Sequence, residues 1–248
     1  MKFTDFFDQL IVINMDSRED RMKDCYRIFK ENDIPLSMVT RWSAYTTGPS
    51  PQSSGSHSHR DVIRHVANEK IKSALILEDD FEPITTVMLK NAGHMHGRQV
   101  LDTHCSILNG TGSFPERFEA MIPFLPKEYD FLLLGGAYAE NPIGRYNEHV
   151  IQCKMIKGIH AYAITDTSAQ KWTNWMDDKT GGDINFNCGA ADDIITSASH
   201  FADFKFFILQ PRLLTQRPSK SDLSGCEVNY LDSMCNPYHE NLYPGGPV

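Results

Sequence analysis

The chain has 248 residues, 41% of them hydrophobic and 23% charged, and its 24 basic against 32 acidic side chains leave a net charge of −8. That length can bury a full core without metals or disulfides, and the composition excludes coiled-coil, collagen-like and low-complexity architectures. Non-specific nucleic-acid binding is disfavoured, because it needs a Lys/Arg surplus to neutralise phosphates; a local basic patch for a phosphorylated small molecule stays compatible with the charge. No apolar run approaches the roughly 18 residues of a membrane span. Asp5 and Asp8 interrupt the stretch where a secretory signal would be apolar, so a cytoplasmic location is expected. The six cysteines, at 25, 105, 153, 188, 226 and 235, include no Cys-x-x-Cys and read as buried thiols, with a Cys226–Cys235 pair as the open alternative.

In chain order, Gln9–Asn14 is a short apolar run of the kind a buried parallel strand requires. Met22, Tyr26 and Phe29 then recur at i, i+4, i+7 with charges between them, which predicts an amphipathic helix ending before Pro35. Thr47–Ser56, rich in Gly, Pro and Ser, reads as a loop, and His59–Lys70 as a helix with Ile63, Val66 and Ala67 on one face. Ser73–Leu77 is a second buried strand, ending at Glu78-Asp79-Asp80. Residues 91–112 show no period and read as a mobile insertion. Ser113-Phe114-Pro115-Glu116 has the form of a capping box opening a short helix through Met121 and Ile122. Phe131–Leu134 and Ala161–Ile164 are further strands, the second followed by a helix carrying Ala169, Trp172 and Met176. Ala191–Phe201 reads as a helix, Phe204–Leu209 as a fifth strand, and residues 224–248 as a loop-like tail. Strands alternating with helices predict an α/β layered sheet in a single domain.

Ligands of open α/β sheets bind beyond the carboxyl ends of the strands, and two strand ends here are densely polar. Three adjacent carboxylates at Glu78-Asp79-Asp80 repel one another. A solvated acidic turn is the plain explanation, but the buried run before it delivers these groups to a fixed edge. In extended chain Glu78 and Asp80 share a face opposite Asp79, and two hard oxygen donors at one point suit Mn²⁺ or Mg²⁺ held partly by a diphosphate. At the other strand end, Asp16 or Ser17 is placed to cap the next helix. Arg18 and Arg21, three apart on its first turn, suit a diphosphate. His57 with His59, and His94 with His96, alternate in the manner of metal ligands, but no partner pair stands at zinc-site spacing.

Five stretches in order resemble glycosyltransferase family 25, which contains bacterial lipopolysaccharide and collagen galactosyltransferases. They are Ile11–Asp16 with Arg18 and Arg21, Ser58-His59 before a helix, Ala74–Asp80, Gly158–Ile164, and Gln210–Gln216 followed by Ser221-Asp222-Leu223. The order spans residues 9–223. Ser54-Gly55-Ser56-His57 departs from the family's Gly-Cys before Ser-His. The resemblance implies a GT-A type fold, with one Rossmann-like mixed sheet flanked by helices. It also implies inverting transfer of a hexose, galactose or glucose, from a UDP-sugar to a glycan or other hydroxyl acceptor. Glu78 and Asp80 would hold the metal. Asn14, Asp16, Arg18, Arg21, Ser58, His59, Asp79, His160, Ser221 and Asp222 would bind the donor. Asp192, Asp193 or Asp183 would deprotonate the acceptor hydroxyl, unless the first two simply cap their helix. A non-catalytic nucleotide-sugar or carbohydrate-binding protein and a nucleotide-sugar hydrolase are the alternatives.

Overall fold

The structure is a computed structural model that describes residues 1–85, 88, 112–136, 138–179, 189–210, 212–220 and 227–228. Asp183, Ser221, Asp222, His94, His96, four of the cysteines (105, 188, 226, 235) and nearly all of the expected 91–112 insertion and C-terminal tail lie outside those residues.

The elements are, in order, α1 (Phe3–Phe6), β1 (Gln9–Asn14), α2 (Glu19–Glu31), β2 (Val39–Ser43), α3 (Pro51–Asn68), β3 (Ser73–Glu78), β4 (Phe81–Pro83), α4 (Phe114–Met121), β5 (Phe131–Gly135), β6 (Tyr138–Asn147), β7 (Val150–Lys157), β8 (Ala161–Thr165), α5 (Asp166–Lys179), α6 (Ala191–Phe201), β9 (Phe206–Leu209), β10 (Leu214–Gln216) and the small pair β11 (Ser219–Lys220) and β12 (Glu227–Val228). Among the described residues, ten strands make one mixed sheet in the order β2-β1-β3-β8-β5-β9-β7-β6, with β10 joining β4 and β5 off this path. β1 runs parallel to both β2 and β3; β8 is antiparallel to β3 and β5. The expected mixed sheet flanked by helices is therefore present.

Two-sided burial explains why the strands read as unbroken apolar runs. Leu10 and Val12 of β1 and Leu75 and Leu77 of β3 pack with Phe3, Phe7, Phe29 and Phe118. The alternate residues Ile11, Ile13, Ala74 and Ile76 pack on the opposite face with Val62, Ile63, Trp172 and Ile195. α1, α2 and α4 thus cover one face, and α3, α5 and α6 the other. Burying each of these large side chains contributes roughly 1.5–3 kcal/mol before the entropy of ordering is subtracted. The register sets Ile13 beside Glu78, so the two polar strand ends emerge next to each other. Cys25 and Cys153 are buried free thiols, and no helix among the described residues is long and apolar enough to cross a membrane.

Two local expectations need correction, and two elements were not foreseen. Residues 51–56 are helical: Ser50 Oγ accepts from Ser53 N at 3.1 Å and Pro51 occupies the first turn, a start signal hidden in a stretch whose composition reads as loop. α2 begins after Arg18, without a side-chain cap, because Asp16 is engaged by Arg41 and Ser43 of β2 instead. The β6–β7 hairpin and β2 escape the sequence reading: β2 and β6 carry neither an apolar run nor a clean alternation, whereas the alternation Ile151-Gln152-Cys153-Lys154-Met155 of β7 is a strand signal the reading passed over. The capping box does form: Ser113 and Glu116 each reach the other's backbone N–H.

Gly135 lies where β5 meets β8 and β10. A Cβ there would sit 2.4 Å from His160 Nε2 and 2.8 Å from Leu214 O, whereas one on Gly55, within α3, would meet nothing inside 4 Å. Gly135→Ala is expected to lower stability by about 1–3 kcal/mol, and Gly55→Ala to raise it by about 0.5–1 kcal/mol. Urea-unfolding midpoints check both signs; a neutral Gly135→Ala would contradict the packing.

Candidate active site

The turn after β3 sorts its three carboxylates to two sides. Asp79 turns toward β1 and α2: its Oδ2 accepts from Asn14 Nδ2 at 2.7 Å and its Oδ1 from Arg21 Nη1 at 2.9 Å. Arg21 also lies 3.5 Å from Asp80 Oδ2. Asn14 is fully engaged, since it donates to Arg18 O and accepts from Arg41 Nε. Glu78 and Asp80 turn the other way, toward β10. Gln216 Nε2 donates to Glu78 Oε2 at 3.0 Å and to Asp80 Oδ1 at 3.1 Å, so both carboxylates converge on one nitrogen. The other oxygen of Glu78 is 3.3 Å from His59 Nε2, and His59 Nδ1 is 3.1 Å from the Tyr162 hydroxyl. His59 and Tyr162 are both buried. Arg217 clamps the turn from behind, its N–H bonding to Asp80 O at 2.7 Å and its side chain to Asp79 O at 2.8 Å.

A cavity of about 530 Å³ opens above this turn, lined by Arg21, Ser58, His59, Glu78, Asp79, Asp80, Gln216 and Arg217 together with Tyr45 and the first turns of α3. That volume lies in the range of small-molecule sites. Of the residues expected from sequence, Arg21, Ser58, His59 and the three carboxylates meet here. Asn14 stands one hydrogen bond behind, through Asp79. Asp16 and Arg18 do not line the cavity: Asp16 is exposed and held by Arg41 and Ser43, and Arg18 reaches Asp20. The two arginines are therefore not side by side facing one anion. His160 is buried in the sheet, its Nε2 3.5 Å from Leu214 O and its carbonyl accepting from Glu78 N at 2.9 Å; it supports the turn from below.

Asp192 and Asp193 do not line the cavity either. Asp192 accepts from Gly158 N at 3.2 Å and Asp193 pairs with Lys157. The cap of α6 is Ala190, so neither aspartate is the N-cap. Tyr45, Gln216, Arg217 and Tyr162 are the site residues sequence reasoning missed. Gln216 sits within a recognised motif, yet its partners follow only from the antiparallel pairing of β10 with β4, Gln216 opposite Phe81.

Burial and like charge strain the acidic turn. Burial first, and then the charges of Glu78 and Asp79, push the Asp80 carboxyl up to about 7 against the pull of Arg21. Burial likewise raises Asp79, partly offset by Arg21 and Asn14. For Glu78 burial also opposes the charge, but the hydrogen bond with His59, together with the electrostatic pull of His59, His160 and Arg21, outweighs it and holds the carboxyl below its usual range. The pair thus divides the work: Glu78 carries the charge and Asp80 retains a proton longest.

No family model matches the chain, and no curated protein matches it in sequence. Among solved structures it is similar to mannose-1-phosphate geranyltransferase from Thermus thermophilus, at 6% identity and a TM-score of 0.40, over 81% of this chain and 72% of that one. It is likewise similar to an apo UDP-glucose pyrophosphorylase, at 10% identity and a TM-score of 0.40, over 94% of this chain and 82% of that one. Likenesses of this size bear on neither substrate nor reaction.

Because Asp80 titrates near 7 in the fold and near 3.8 when unfolded, its contribution to stability is fullest below pH 3.8 and is lost as pH rises through 7. In EDTA, Asp80→Asn is expected to melt about 2–4 °C above the natural protein at pH 8, with the gap closing toward pH 4. Thermal melts across that range check this; a variant less stable at pH 8 would contradict it.

Proposed function

We propose that the chain is a metal-dependent glycosyltransferase, moving a hexose (galactose or glucose) from a UDP-sugar to a hydroxyl of a glycan or other acceptor, with the family 25 type of inverting chemistry. The observation that carries this reading is the convergence of Glu78 and Asp80 on one point at the floor of the cavity. Two half-buried carboxylates held together at a sheet edge are poorly placed as mere surface charge and well placed as oxygen donors to a divalent cation. Among the described residues no third His, Cys, Asp or Glu joins them. That donor set fits Mg²⁺ or Mn²⁺, which commonly leave part of their coordination to water and substrate phosphates. Glu78 and Asp80 would hold the ion, which when bound supplies positive charge against the negative charge building on a departing diphosphate.

The chain's own groups have separate tasks. Arg21 and Asn14 hold Asp79 rigid, which keeps the whole turn in place. Ser50, Pro51 and Ser54 bring the N-terminal end of α3 to the cavity wall, where the helix dipole favours an anion. Tyr45, packed on His57 with ring centroids 4.8 Å apart, offers an aromatic face to a base or sugar ring.

The test is turnover of UDP-galactose and UDP-glucose with MnCl₂, read as UDP release with and without glycan acceptors. Release that needs Mn²⁺, stops with EDTA and falls on the order of 10²–10³-fold in Asp80→Asn supports the reading. Fast release of free sugar that no acceptor improves would make the protein a hydrolase, and tight UDP-sugar binding without release a binding protein. Full activity of Asp80→Asn would overturn the site.

A further inference from the structure

The proposed cation leaves one conflict that the geometry resolves. The atom facing both carboxylates is an amide nitrogen, a donor only, and carboxylates in turn can only accept from it. A cation taken up between the same two groups requires the opposite: an oxygen. Gln216 carries one on the same side-chain amide. Its backbone is fixed, because β10 pairs with β4 through Leu214, Thr215 and Gln216, and because the next residue, Arg217, donates its N–H to Asp80 O at 2.7 Å. The strand bearing Gln216 and the turn bearing Glu78 and Asp80 therefore belong to one ladder, and only the side-chain torsions of Gln216 can exchange Nε2 for Oε1 at this point, by giving up its two hydrogen bonds. No other His, Cys, Asp or Glu among the described residues completes the set, so any third donor from this chain is a neutral oxygen, the remaining positions being left to water and phosphates.

We infer that Gln216 is the third protein ligand of the cation, its amide turning half way round so that Oε1 replaces Nε2 opposite Glu78 and Asp80. This inference rests on the cation reading above. The same residue then serves two conditions: through Nε2 it bridges two carboxylates that otherwise repel, and through Oε1 it joins them as a donor. The resulting set of two carboxylates and one amide oxygen is entirely hard oxygen, which favours Mg²⁺ or Mn²⁺ over zinc or copper.

The experiment titrates MnCl₂ into the natural protein, Gln216→Glu, Gln216→Met and Asp80→Asn by calorimetry, after far-UV circular dichroism has shown each to be folded. Gln216→Glu keeps the side-chain length and adds an acceptor with charge, so Mn²⁺ should bind about tenfold tighter, since ligand charge count tunes affinity. Gln216→Met removes the donor oxygen and should bind about fivefold or more weakly. Asp80→Asn should lose most of the affinity. Equal affinities for the natural protein, Gln216→Glu and Gln216→Met, with loss only in Asp80→Asn, would overturn the role of Gln216 while leaving the cation site standing. Binding undiminished in Asp80→Asn, or no binding even to Gln216→Glu, would overturn the cation reading itself. A second readout needs no substitution. Adding MgCl₂ to ¹⁵N-labelled protein should shift the Gln216 side-chain NH₂ pair as it leaves the carboxylates, and an unmoved pair at saturating Mg²⁺ would contradict the rotation.

Discussion

Three carboxylates in a row, driven into a partly buried corner by the strand that carries them, are the constraint around which the site is built. Left alone, such a group would repel itself and lose hydration at once. The fold answers from three directions. Arg21 and Asn14 take Asp79, His59 takes one oxygen of Glu78, and the Gln216 amide joins the remaining oxygen of Glu78 to Asp80. What is left is a pocket floor with one carboxyl that holds its proton to about 7, a site that favours any added positive charge. Local strain of this kind is tolerated where a ligand relieves it.

The sheet makes the corner possible. Parallel pairing of β1 with β3 brings Asn14 and the acidic turn to the same edge, and α2, entering after the first strand end, carries Arg21 to them. β8 inserts antiparallel beside β3, placing His160 and Tyr162 beneath the site rather than in it. Gly135 is small because His160 Nε2 and Leu214 O close over it, so the packing under the cavity is as specific as the groups lining it. α3 closes the far wall with its N-terminal turns.

How much of this was legible depends on range. β1, β3, β5 and β8 were readable as apolar runs, because both faces of each are covered. Ala191–Phe201 was readable as a helix within its own boundaries. The alternation of an extended chain puts Glu78 and Asp80 together and Asp79 apart; Gln216 joins the first two, while Arg21 reaches both Asp79 and Asp80. The start of α3 was hidden because Ser, Gly and Pro mark loops and helix beginnings alike. Asp16 looked like a cap because its true partners, Arg41 and Ser43, come from a strand with no apolar run to announce it. Gln216 and Tyr162 were invisible as site residues for the deeper reason that their partners lie 138 and 103 residues away in sequence, at distances only the folded sheet closes.

The central claim, that the acidic edge grips a divalent cation, is tested most directly by anomalous diffraction at the manganese edge from crystals soaked in MnCl₂ and UDP. The account predicts an anomalous peak between the Glu78 and Asp80 carboxylates at the cavity floor. Density for UDP with no peak there, and with both carboxylates still bonded to the Gln216 amide nitrogen, would contradict it.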